Sequence, residues 1–202
     1  MDAIGRRIAR VSSKPGINWE FVAIDDKVPN AFAMPGGKVG VHTGLMPIAA
    51  NDDGLAAIIG HEIAHVTLEH SSERASQQLL SNVALISANV GLSVAGVSGA
   101  GDITKALGVG ANIGLLSPYS RVHEREADRL GLIYMARAGY DPRKAPDVWR
   151  RMAAWAEKNN KSSEFANAAG ALTRTHPWNR ERIEVLEKAM PEALEAYKNR
   201  KR

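Results

Sequence analysis

Cysteine is absent from the 202 residues of this chain. Its absence excludes disulfide bonds, catalysis by a thiolate and structural zinc sites built on cysteine. Any metal ion must therefore be held by histidine and carboxylate side chains. The chain has 6 histidines and 22 acidic residues from which such a site can be built.

Several other features are scarce. No basic run is interleaved with aromatic residues, which make up 5% of the chain, so no nucleic-acid partner is expected. The net charge of +4 comes largely from the two ends, which predicts solvated termini or, as the alternative, peripheral association with an anionic membrane surface. Residues 1–10 have no apolar core, so the chain as given carries no secretory signal, and a longer precursor stays open.

The composition is that of a globular protein. Apolar residues make up 45% and charged residues 24%, and a chain of this length can bury about 70% of its unfolded surface in one domain. We therefore expect a single domain over residues 1–202. Residues 79–116 are weakly apolar, rich in small residues and interrupted by Asn and charged residues. They are expected to form a lid or helical hairpin within that domain rather than a membrane hairpin.

The hydrophobic periodicity favours helices over strands. It predicts an α+β fold that is mostly helical, with a small antiparallel sheet. The strand-like segments are a run from Trp19 to Ile24 and a hairpin over 30–43 with its turn at 35–37. The predicted helices cover 1–11, 51–66, 117–138, 144–158 and a charged segment from 179.

The most informative motif in the sequence is His61-Glu62-Ile63-Ala64-His65. Two histidines four positions apart on a helix lie on one face and can bind one zinc ion. Glu62 lies at the edge of that face, where it can act as the general base towards a water molecule. Gly60 weakens the helix, and close approach by another backbone is a plausible reason for it.

A catalytic zinc ion needs a third protein ligand and an open position. Leu68 and Ser71 stand where a metzincin would have Gly and His, so that class is excluded. Glu124 and Glu126 on the later helix are the candidates. Asp128 favours Glu124, because it lies one turn beyond it and can accept the second ring proton of a histidine ligand. Spacing alone leaves Glu126 as the alternative.

The chain resembles the BepA/HtpX-like gluzincin metallopeptidases, the family that also includes the CAAX prenyl endopeptidases. The resemblance rests on four blocks in the family's order: Asn30-Ala31-Phe32-Ala33-Met34-Pro35-Gly36-Gly37, Gly60-His61-Glu62-Ile63-Ala64-His65-Val66, Glu124-Arg125-Glu126-Ala127-Asp128 and Thr175-His176-Pro177. It implies a zincin-like domain with one Zn²⁺ per chain bound by His61, His65 and Glu124, and with Glu62 as the base.

The resemblance also gives His176 a role. On the residues alone, a histidine before Pro177 is typical of a helix start. In the family, such a histidine either stabilises the oxyanion or occupies the open position of the metal in a latent form. Arg182 matches an arginine that follows the His-Pro pair, and its role is left open. His70 is expected to be structural, and His42 and His123 are expected to lie outside the site.

The function implied is a zinc-dependent endopeptidase acting on unfolded or misassembled proteins in envelope quality control. The resemblance favours the soluble branch and a bacterial periplasmic location. Partners would be protein or peptide substrates, with the oligomeric state left open. An extended substrate would pair with the edge of the strand Lys38, Val39, Gly40, Val41, His42 and Thr43. The alternative is a chaperone-like or binding module whose zinc site is closed by His176 or by 79–116. A purely structural zinc site is disfavoured.

Overall fold

A computed structural model describes residues 1–73, 120–159 and 180–200, together with residues 76, 79, 80, 83, 87 and 176. The predicted lid over 79–116 lies almost wholly outside the described residues, as does the segment 164–171 that precedes Thr175. Across the described ranges no helix is both long and apolar enough to cross a membrane.

The fold is α+β and mostly helical, which confirms the predicted class. Each helix predicted over a described range is present within a few residues of its expected bounds. The elements run in the order α1 Asp2–Val11, β1 Glu20–Ile24, β2 Ala31–Met34, β3 Lys38–His42, a 3-10 turn Thr43–Leu45, α2 Met46–Ala49, α3 Asp52–Thr67, α4 Arg121–Arg137, a 3-10 turn Pro142–Lys144, α5 Ala145–Asn159 and α6 Arg180–Lys198.

The small sheet is mixed, where an antiparallel sheet was expected. The strand order is β1-β3-β2, with β3 antiparallel to β2 and parallel to β1. The hairpin of β2 and β3 is present as predicted. The residues between β1 and β2 cross about 10 Å, which is two strand spacings, and β2 runs antiparallel to β1 with a gap between them. Strand β3 occupies this gap. Because β3 is antiparallel to β2, it is parallel to β1.

The central position of β3 overturns its predicted role in pairing with a substrate edge to edge. Glu20 to Ile24 pair with one side of Lys38 to His42, and Ala31 to Met34 pair with the other side. Both edges of β3 are already paired with neighbouring strands, so its backbone groups are not available to pair with a substrate. Thr43 lies outside the strand, in the 3-10 turn that follows it.

Helix α3 passes through the middle of the protein. Asn51 caps its first turn by accepting a hydrogen bond from the backbone N–H of Gly54. Every residue from Gly54 to Thr67 is buried. A helix that is covered on all sides is held by its neighbours, so the side chains it carries have fixed positions.

Helices α3 and α4 cross at two glycines. A Cβ atom on Gly60 would lie 2.8 Å from the carbonyl oxygen of Gly131, and one on Gly131 would lie 2.7 Å from the backbone nitrogen of His61. Both neighbours are backbone atoms of packed helices and cannot move aside. The close backbone approach expected at Gly60 is therefore confirmed, and it brings α4 against the residues at the centre of α3.

We expect Gly131→Ala to destabilise the protein by about 1–3 kcal/mol, because the added methyl group forces the two helices apart. Helix propensity alone would favour alanine by about 1 kcal/mol, so a loss of stability would identify the crossing as its cause. Gly16→Ala is the control, since no atom lies within 4 Å of the added Cβ there. Urea unfolding of both variants measures the difference, and equal free energies of unfolding would contradict the prediction.

Candidate metal centre

The two histidines of α3 direct nitrogen atoms to one point. His61 and His65 are 2% and 0% exposed, and their Nε2 atoms lie 3.0 Å apart. Two imidazole nitrogens bound tetrahedrally to one zinc ion at 2.0–2.1 Å would be about 3.3 Å apart. The pair is therefore spaced for a shared ligand.

Helix α4 supplies the carboxylates. Its N-terminus is capped by Ser120, and Glu124 lies in the first turn. Glu124 Oε1 is 3.2 Å from His65 Nε2 and Oε2 is 3.6 Å from His61 Nε2. One turn further on, Asp128 Oδ1 lies 3.0 Å from His61 Nδ1. Glu126 points to His70 instead. The structure thus brings Glu124, and not Glu126, to the paired histidines.

The side chain of His176 lies against the two histidines of α3 and Glu124. Its Nδ1 lies 3.1 Å from Glu124 Oε1 and 3.3 Å from His61 Nε2, and its Nε2 lies 3.4 Å from Glu62 Oε1. Four side chains, those of His61, His65, Glu124 and His176, each offer a donor atom within 4.8 Å of the others. Such a group could hold a metal ion.

Glu62 lies on the same side of α3 as the cluster but is not part of it. Its side chain is 2% exposed, and its Oε2 has no hydrogen-bond partner among the described residues. A buried carboxylate oxygen without a partner is costly in the absence of a water molecule or another polar group. The position therefore suits a group that exchanges a proton with a small polar molecule.

Arg182 of α6 holds both α4 carboxylates. Its guanidinium makes two hydrogen bonds to Asp128, from Nε at 2.8 Å and from Nη2 at 2.7 Å, and its Nη1 lies 2.8 Å from Glu124 Oε2. The guanidinium also lies 4.3 Å over the Trp149 ring, whose edge contacts His61. Arg182 is thus ion-paired with Oε2 of Glu124, and Oε1 is the oxygen that lies nearer to a histidine ring, that of His65.

The protonation of the cluster follows from these contacts. Burial alone would lower the pKa of His61, but hydrogen bonds to Asp128 and Glu124 outweigh it and raise the pKa to about 9. Burial lowers the pKa of His65 well below its usual value. Burial opposes ionisation of Glu124, yet Arg182 and His176 hold its pKa well below the usual range. Without a metal ion, the site therefore favours a positively charged His61, a neutral His65 and an ionised Glu124.

The charges indicate which ion fits. Within the described part of the chain, the buried carboxylates are Glu62, Glu124 and Asp128, and the buried guanidinium is Arg182. With the histidines counted as neutral, the form in which they bind a metal ion, three negative charges and one positive charge leave −2 for this group of side chains. Buried charge without compensation costs several kcal/mol per ion, so a divalent cation would balance the cluster. Nitrogen and oxygen donors in this number fit a transition-metal ion of that charge.

Other predicted residues lie elsewhere. The His42 imidazole contacts the carbonyl oxygen of Val28 at 3.0 Å and Asp26 at 3.3 Å, outside the cluster. Lys38 lies on the surface and pairs loosely with Glu20 at 3.7 Å. The substrate-binding role predicted for their strand is therefore not supported.

Two partners of the cluster were not assigned from the sequence. Arg182 follows Asp128 by 54 positions, and no spacing rule connects them, so only the family resemblance pointed to it. His70 was expected to be structural and not a metal ligand, and its direct contact with His65, with 3.1 Å between the two Nδ1 atoms, was not predicted. A backbone in the left-handed region at Glu69, with φ of 63°, places it there, and such a turn is not readable from the residues.

Comparisons with known proteins show which proteins the chain is similar to. The model of peptidase family M48 matches residues 1–190. The mitochondrial metalloendopeptidase OMA1 of Schizosaccharomyces pombe is 38% identical over 188 residues, which cover 93% of this chain and 51% of that protein. The putative beta-barrel assembly-enhancing protease of Vibrio cholerae is 31% identical over 186 residues, which cover 91% of this chain and 37% of that protein.

These relatives correct one prediction. The chain spans about half the length, or less, of the curated relatives it matches. The assignment to the bacterial periplasm is wrong, because relatives at 38% identity in Schizosaccharomyces pombe and Saccharomyces cerevisiae are named as mitochondrial.

Proposed function

The chain belongs to peptidase family M48, and from that premise we propose that it is a zinc-dependent endopeptidase acting on unfolded or misassembled proteins. One Zn²⁺ per chain would be bound by His61, His65 and Glu124. The set of two histidines and one glutamate leaves room for water or substrate, as catalytic zinc sites do. We propose in addition that residues 1–202 act as one domain.

The observation that carries the proposal is the buried Oε2 of Glu62, which has no hydrogen-bond partner among the described residues, while Oε1 of the same side chain lies 3.4 Å from His176 of the cluster. A structural metal site does not require a buried carboxylate with a free oxygen beside the metal. A hydrolytic site requires one, because a base must accept a proton as water attacks the peptide carbonyl.

The zinc ion would supply Lewis acidity, polarising the peptide carbonyl and lowering the pKa of the attacking water. Glu62 takes the proton of that water and gives it to the leaving amine. His176 donates an N–H to the oxyanion of the tetrahedral intermediate. Asp128 and Arg182 keep His61 and Glu124 in place, so that these donors need not move during the reaction.

Strand β2 is the better candidate for pairing with an extended substrate. It lies at the edge of the described sheet and packs against α3. The hydrogen bonds from His42 N to Asn30 O and from Gly37 N to Met34 O direct alternate residues of the hairpin towards β3. The backbone groups of Ala31 and Ala33 therefore point away from β3, where a peptide could add as a strand if it displaced the Ser71 hydroxyl, which donates to the Ala33 carbonyl at 3.3 Å. Recognition through backbone groups suits unfolded proteins of varied sequence.

A second function is favoured by the position of His176. Its Nδ1 lies within donor distance of Glu124 and His61, so the imidazole could occupy the open position of the metal. The protein would then be a chaperone-like or binding module with a latent zinc site. The two proposals differ in what His176 does, not in which residues bind zinc.

Metal analysis and casein cleavage test both proposals. We expect purified protein to contain one zinc ion per chain and to cleave casein, with loss of cleavage after chelation and recovery on adding zinc. Protein that folds and does not bind zinc would contradict both proposals.

His176→Ala separates the two. If the imidazole stabilises the oxyanion, its loss lowers the cleavage rate by roughly 10²–10³-fold, the effect of removing one such donor. Zinc content should stay the same, because three ligands remain. The measurement is the initial rate on a labelled casein at saturating zinc. A rate that rises in the variant would support the latent site and contradict the proposed role in catalysis.

A further inference from the structure

The turn after α3 brings a fourth histidine, His70, to the cluster. Helix α3 ends at Thr67, Glu69 has a left-handed backbone, and the chain becomes helical again at 70–73. This change of direction returns the His70 side chain to the end of α3, where it is 3% exposed. It contacts His65 on the ring edge opposite to Glu124.

The hydrogen atoms of these contacts can be assigned in one consistent way. His65 Nε2 faces Glu124 and His61, and its Nδ1 lies 3.1 Å from His70 Nδ1. If His65 binds a metal through Nε2, its ring proton must be on Nδ1. His70 Nδ1 must then accept that proton, which places the proton of His70 on Nε2. His70 Nε2 lies 3.2 Å from Glu126 Oε2, which can only accept.

We propose that His70 is a positioning residue for His65, and that Glu126 fixes the tautomer of His70 in which Nδ1 accepts. This inference rests on the proposed metal site. It means that the two histidine ligands are held by different means: a carboxylate, Asp128, accepts from His61 directly, whereas an imidazole stands between His65 and its carboxylate. Acceptors of this kind orient a ligand ring and raise its basicity, and their loss costs roughly 10- to 100-fold in metal affinity.

A stacked ring holds His70 in the required plane. The rings of His70 and His123 lie 4.3 Å apart at an interplanar angle of 19°. His123 Nε2 lies 3.3 Å from Glu73 Oε2. Glu73 thus belongs to the same group of side chains but lies outside the path from Glu126 to His65, which makes it a matched control for Glu126.

The test compares zinc affinity in four variants of the full chain by competition with a chromophoric chelator. His70→Phe keeps the ring and the stack but cannot accept from His65, and we expect a 10- to 100-fold weaker affinity. His70→Gln offers an amide oxygen and should lose less than about 10-fold. Glu126→Ala should lose less than His70→Phe, because water can accept at a side chain that is 54% exposed. Glu73→Gln should bind as the wild type does.

Cobalt supplies a readout that a purely structural role would not change. We expect the visible spectrum of the Co²⁺ protein to shift in His70→Phe and Glu126→Ala, since the His65 ring is no longer held, and to stay unchanged in Glu73→Gln. Unchanged affinity and spectrum in His70→Phe would overturn the inference. Equal losses in His70→Phe and His70→Gln with an unshifted spectrum would overturn it as well.

Two further outcomes distinguish a failure of the His70 inference from a failure of the proposed zinc site. If His70→Phe does not fold, Glu126→Ala decides, and a spectrum and affinity equal to the wild type would overturn the inference. If the wild-type protein itself binds no zinc, the proposed function fails and this inference fails with it. Wild-type protein that binds zinc while these variants match it leaves the proposed function standing and removes only the role of His70.

Discussion

Glu62→Gln is expected to lower the rate of casein cleavage by roughly 10²–10⁴-fold while leaving one zinc ion per chain. The amide has the shape of the carboxylate but cannot take a proton from water. Glu62 Oε1 lies 3.4 Å from His176 and its Oε2 has no hydrogen-bond partner among the described residues. The substitution therefore removes no observed structural hydrogen bond of Oε2. Single-turnover cleavage together with metal analysis of the same sample measures both quantities.

Glu187→Gln is the control for this change, because it makes the same chemical replacement at a side chain that is 58% exposed and pairs only loosely with Arg150 at 3.3 Å. We expect it to cleave at the wild-type rate. A Glu62→Gln protein that holds zinc and cleaves casein nearly as fast as the wild type would exclude Glu62 as the base. Loss of zinc in that variant would show that Glu62 binds the metal instead.

The helices and the centre of the site could be predicted because their signals are local. Histidines four apart lie on one face of any helix, and Asp128 lies one turn from Glu124 on any helix, so spacing alone favoured the carboxylate that the structure brings to His61 and His65. The assignment of these residues as metal ligands stays a prediction until the metal is measured. The glycine crossing was also foreseen, because a glycine within an apolar helix needs a packing reason.

The remaining features depend on contacts between distant parts of the chain. The parallel pairing of β1 with β3 follows from the path of a loop, and the alternation of residues in a strand does not reveal which neighbour it has. His70 reaches His65 only because the backbone at Glu69 takes a left-handed conformation, which is uncommon outside glycine. Arg182 meets Asp128 only because α6 packs on α4. Local sequence patterns carry no information on any of these.

Arg182→Met is expected to destabilise the folded protein by about 3–5 kcal/mol, the cost of breaking a buried ion pair from one side. Arg182 is 2% exposed and is the partner of both Asp128 and Glu124, at 2.7 Å and 2.8 Å. Methionine fills much of the volume but leaves two carboxylates without their cation, which makes the net charge of the cluster more negative by one. Arg129→Met is the control, since Arg129 pairs with Glu192 at 2.6 Å while 56% exposed, and exposed pairs contribute about 0–1 kcal/mol.

Urea unfolding of zinc-free samples of Arg182→Met and Arg129→Met measures the loss in free energy of unfolding for each variant. Zinc should restore part of the stability of Arg182→Met, because a divalent ion supplies the missing positive charge. Similar losses in the two variants would mean that Arg182 acts as packing and does not balance the charge of the cluster.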